Sequence, residues 1–69
     1  MSYDYSKLLG KIIELYGSQA NFAREMGLSS RSLSLKLNGK IGFKQVEIER
    51  ACQLLKIKRT DIDKYFFAL

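Results

Sequence analysis

The stretch Gln19–Leu37, reading QANFAREMGLSSRSLSLKL, decides how this chain folds. It divides into two short amphipathic segments at Met26-Gly27-Leu28-Ser29. In the first segment Phe22, Ala23 and Met26 recur at helical spacing, leaving Gln19, Asn21, Arg24 and Glu25 on the wet face. Gly27 supplies the positive φ that ends a helix, Leu28 returns to the core, and Ser29 can cap a second helix running from Ser30 to Asn38. Asn38-Gly39 closes that helix by the same device. A helix, a short glycine-containing turn and a second helix make the hairpin with which small proteins present one helix to the DNA major groove.

Outward from this hairpin, helical spacing continues in both directions. Upstream, Tyr5, Leu8, Leu9, Ile12, Leu15 and Tyr16 form an apolar stripe on a helix that Asp4 or Ser6 can cap; Gly17 stops it and Ser18 caps the next. Downstream, Ile41-Gly42-Phe43 makes a short connection with two apolar anchors. A fourth helix spans about Lys44 to Lys56, with Val46, Ile48, Ala51, Cys52, Leu54 and Leu55 as its apolar positions. A last segment begins where Thr60 can cap and Asp63 can return the bond. It ends in the apolar cluster Tyr65, Phe66, Phe67 and Leu69, of which Phe66 is expected in the core. The expected fold is all-α, with five helices in one compact domain spanning residues 1–69.

Composition sets limits on function. Sixty-nine residues, 46% of them hydrophobic, support one small core. The only cysteine is Cys52, in an apolar stripe, so it is expected as a buried thiol in a protein of a reducing compartment such as the cytoplasm. Histidine is absent, which removes the usual ligands of a structural zinc and the usual acid–base catalyst. No metal, cofactor or small-molecule ligand is expected, and no enzymatic activity. No apolar run reaches membrane-spanning length, and the opening MSYDYSKL is too polar for a signal peptide.

The net charge is +5, from twelve Lys and Arg against seven Asp and Glu. No acidic residue falls between Glu25 and Glu47, whereas Arg31, Lys36, Lys40 and Lys44 all do. A segment of one sign suggests a face for a polyanion, the alternative being an ordinary solvated helix and loop. On a helical wheel of the third helix, Leu33 and Leu37 define the buried direction. Arg31, Leu35 and Asn38 lie opposite, with Ser32 and Ser34 at the flanks. That edge suits a major groove. Short serines admit the backbone, Arg31 can bond a guanine edge, and Leu35 can touch a thymine methyl. Gln19 and Ser29 stand at helix N-termini, placed to reach phosphates, and Asn38, Lys40 and Lys44 would extend the grip.

At these residues the chain resembles the phage repressor and Cro type of helix-turn-helix domain, the lambda-repressor-like fold of the XRE-type regulators. The resemblance is carried by Gln19, Phe22-Ala23, Met26-Gly27-Leu28, Leu33 and Asn38-Gly39-Lys40, and the order of elements extends it over nearly the whole chain. The segments LKLNGK and KYFFAL look like those of small regulators from phages of Gram-positive bacteria. The resemblance implies DNA-facing positions at Gln19, Ser29, Ser30, Arg31, Leu35, Asn38 and Lys40. It also implies double-stranded DNA as partner and a homodimer, at least on DNA. Lys36 departs from the pattern, since that position is usually apolar in the family. Its stem can pack while its ammonium reaches a phosphate, so both support and contact are open.

The leading expectation is therefore a small Cro-type repressor that occupies an operator through its third helix. The alternative is a protein-interaction module, an antirepressor or antitoxin-like adaptor, that uses the apolar C-terminal tail as its partner surface.

Overall fold

The computed structural model describes residues 3–69. Met1 and Ser2, the first two residues of the polar opening, lie outside the described residues. Five α-helices follow in order: α1 Ser6–Tyr16, α2 Gln19–Met26, α3 Ser30–Leu37, α4 Gln45–Leu55 and α5 Ile62–Phe66, with a short 3₁₀ turn Arg59–Asp61 leading into α5. No strand occurs among the described residues. The Cα radius of gyration is 10.8 Å, matching the roughly 11 Å expected of a compact chain this long.

The caps that fix the hairpin are those its sequence offers. The Ser18 hydroxyl accepts from the Asn21 N–H at 3.1 Å, and the Ser29 hydroxyl accepts from the Ser32 N–H at 3.1 Å. Between them Gly27 adopts φ +76°, and the Leu28 N–H returns to the Ala23 carbonyl. A side chain at Gly27 would meet no neighbour within 4 Å, so the requirement for glycine there is purely one of backbone conformation. At the end of α3, Gly39 (φ +74°) lets the Lys40 N–H reach the Leu35 carbonyl and the Gly39 N–H reach that of Lys36. This is a Schellman-type reversal, and it turns the chain back along α3.

α1 packs on α2, α4 and α5, while α2 packs on α3 and α4, so α2 lies between the hairpin partner and the rest. One core joins them, with Leu8, Ile12, Phe22, Leu33, Leu55 and Phe66 fully buried. Ala23 is buried in the middle of α2, where a larger side chain would force its neighbours apart. Tyr16 closes the end of α1: its ring stacks against Phe22 and its hydroxyl donates to the Leu54 carbonyl at 3.1 Å.

Three expectations are corrected. Leu15 is half exposed, because Tyr16, one residue on, takes the inward position in the last turn of α1. Val46 is exposed, because it lies about 200° around α4 from the buried Ile48. The Thr60–Asp63 capping box does not form; the 3₁₀ turn carries the chain into α5 without a side-chain cap.

Candidate functional site

Of the ten residues expected to meet DNA, nine are exposed or half-buried and Lys36 is buried. Ser29, Ser30, Arg31, Ser34, Leu35 and Asn38 run along α3, and Gln19 meets Asn38 and Leu37 across a shallow cleft at the start of α2. Within this row Ser29 and Asn38 make local hydrogen bonds. The Ser29 hydroxyl caps Ser32 and also donates to its hydroxyl at 3.0 Å. The Asn38 amide folds back onto its own helix, donating to the Ser34 carbonyl at 2.9 Å. Leu35, expected at the most exposed point of α3, is half-buried, as is Leu37. Leu33 and Lys36 are the buried residues of α3, and Leu37 packs against the core beside them. Arg31 and Asn38 are exposed on the opposite edge, and the reversal after α3 brings the Lys40 N–H back to the Leu35 carbonyl.

Lys36 requires the plainest correction. It is the one buried charged residue among those described, and its ammonium is engaged within the protein. It forms an ion pair with Glu47 at 2.9 Å, donates to the Gly42 carbonyl at 3.1 Å, and lies 5.9 Å from the centre of the Phe43 ring. The same Glu47 oxygen accepts the Lys44 N–H at 2.9 Å, capping α4. Burial works against the Glu47 carboxylate. The Lys44 N–H, the bond from Lys36 and the charges of both lysines outweigh it and hold the carboxyl below its ordinary value. Of the two readings of Lys36, support is the correct one. Arg31, Lys40 and Lys44 are exposed and make no ion pair among the described residues.

Lys40, just past the reversal that ends α3, lines a groove. This groove, of about 260 Å³, opens between the connection 39–43, the N-terminal Tyr3 and Tyr5, and Ile48, Phe66 and Phe67. Phe67, Tyr3, Tyr5, Phe43 and Phe66 form a continuous series of edge-on aromatic contacts, with centroids 5.3–6.3 Å apart, from the surface into the core. Tyr3, Ile41 and Phe67 are each more than 40% exposed at its mouth. Burial, and then the neighbouring Tyr3, pushes the Tyr5 hydroxyl up. Lys40 is the single charged residue of the lining. The Asp4 N–H donates to the Ala68 carbonyl at 2.7 Å and brings the N-terminal aromatics beside the C-terminal ones. Sequence reading picked out Ile41, Phe43 and Phe67 singly but missed Tyr3 and the groove itself. Aromatic residues near both ends of the chain were the available signal.

The chain matches, over residues 1–68, the family described as protein of unknown function DUF739. The chain belongs to this family. No curated protein matches it. Among solved structures it is similar to the solution structure of the modulator of repression of the temperate bacteriophage TP901-1 from Lactococcus lactis. The two are 58% identical, the match covers 97% of this chain and 90% of that one, and the TM-score is 0.84. This DUF739 chain thus has the fold of a small phage regulator. The same match overturns the expectation of an operator-occupying Cro-type repressor, because the similar protein is a modulator of repression, not a repressor.

Proposed function

We propose that this chain is a non-enzymatic modulator of repression that binds a transcriptional repressor protein, with the aromatic groove as its contact surface. The observation that carries this reading is the 58% identity, over nearly the full chain, to a phage modulator of repression. In this reading the lambda-repressor-like, XRE-type helix-turn-helix fold serves as a scaffold for a protein contact. The groove has the composition of a protein-binding patch: exposed aromatic and aliphatic side chains, few charges, and a cationic rim at Lys40. Aromatic side chains also dominate binding energy where they can be fully desolvated.

The test is titration calorimetry with the purified repressor of bacteriophage TP901-1, alongside an operator-controlled reporter. The chain is expected to bind the repressor and relieve repression. Ile41→Asp and Phe67→Asp, which place a charge in the groove mouth, should each weaken binding by about tenfold or more. Val46→Asp, on an exposed apolar residue outside the groove lining, should leave it unchanged. Absence of binding by the unaltered chain would overturn the proposal.

A further inference from the structure

The connection between α3 and α4 forms one wall of the groove, yet it has almost no hydrogen bonding of its own. The Gly39 and Lys40 N–H groups belong to the reversal that ends α3, and the Lys44 N–H belongs to the cap of α4. Across Ile41, Gly42 and Phe43, the Gly42 carbonyl is the one backbone group with a protein hydrogen bond among the described residues, and its donor is the Lys36 ammonium. That ammonium is fixed from the other side by Glu47 on α4 and stands over the face of Phe43 at 5.9 Å. A single buried cation therefore ties together α3, the connection and the first turn of α4.

Exchanging both members of a buried ion pair for apolar residues is often neutral or even stabilising, so core stability alone does not call for the Lys36–Glu47 pair. What an apolar side chain cannot do is bond the Gly42 carbonyl. We infer that Lys36 is a positioning residue for partner recognition. Held by Glu47, it fixes Gly42 and Phe43 so that Ile41 and the Phe43 ring present a preformed wall to the bound protein. This rests on the groove being the repressor's seat. A preformed wall strengthens binding by sparing the ordering of an irregular segment at the moment of contact.

The experiment combines NMR of the free chain with titration of the TP901-1 repressor. In Lys36→Met the Gly42 carbonyl and Phe43 ring resonances should move, while the methyl signals of Leu8, Ile12 and Leu33 stay in place. Repressor affinity should fall about tenfold. Lys36→Arg, which keeps a buried donor and charge, should recover part of that loss. Should Lys36→Met fail to fold, Glu47→Gln serves instead. It keeps an acceptor for the Lys44 N–H but removes the charge that holds the ammonium, and moved Gly42 and Phe43 signals with weaker binding support the inference. A folded variant with displaced Gly42 and Phe43 signals and undiminished affinity would overturn it, leaving the proposed function intact. No binding by the unaltered chain would sink both.

Discussion

At the scale of single residues, Glu47 is the most exposed to test, because two groups depend on one of its oxygens. Glu47→Ala removes the α4 cap acceptor and leaves the Lys36 ammonium buried without its counter-charge. Breaking such a pair costs about 3–5 kcal/mol, out of the roughly 3–10 kcal/mol available to a domain of this size. Urea denaturation should therefore show Glu47→Ala largely unfolded or close to it. The pH dependence follows from the lowered Glu47 carboxyl. The unfolded chain takes up a proton near the ordinary value of 4.5, whereas the folded chain resists until lower pH. The stabilisation is thus complete above about pH 4.5 and is lost as pH falls through the folded value. Below pH 4.5, stability should decline less steeply in Glu47→Gln than in the unaltered chain, as followed by urea titrations at successive pH values.

At the scale of elements, the helices end where their local chemistry dictates, with one costly exception. α4 stops at Lys56, which adopts φ +57° so that the Ile57 N–H can reach the Cys52 carbonyl. A left-handed conformation costs a non-glycine residue roughly 1–2 kcal/mol, and glycine loses part of that gain through its greater freedom when unfolded. Lys56→Gly should stabilise the chain by about 0.5–1 kcal/mol, seen as a higher melting temperature with an unchanged circular dichroism spectrum. The hairpin was legible because serine caps and Gly27 act within a few residues of themselves. The burial of Lys36 was not, because the partner that draws it inward sits on α4. A charged side chain reads as wet until its counter-charge is placed. Arg31 and Asn38 are exposed as read and Leu35 is half-buried, while the operator-reading role expected of that edge gives way to the similarity to a modulator of repression.

At the scale of the whole molecule, size restricts how many faces the chain can use. A standard protein interface takes about 800 Å² from each partner, roughly a sixth of the 4742 Å² that this fold exposes. An interface centred on the groove must then extend over neighbouring surface, where the exposed Lys40 and Lys44 lie without ion-pair partners among the described residues. Repressor binding should weaken moderately with salt, less steeply than the loss expected of a protein gripping many phosphates. A steep, DNA-like salt slope in the calorimetry would argue against an apolar groove as the centre of contact. The groove escaped the sequence because closure of the fold, not periodicity, brings Tyr3 beside Phe67.

The Asp4–Ala68 hydrogen bond that makes this closure has a practical consequence for handling the protein. Tyr3 and Phe67, close to the two ends of the chain, both line the groove, so a fusion, affinity tag or surface tether at either end is joined within a few residues of its rim. Immobilised by a short tether, the chain should capture the repressor several-fold less well than the same chain on a long, flexible Gly/Ser spacer, which allows the attachment to swing clear. Equal capture on both spacers would place the contact on the far side of the molecule.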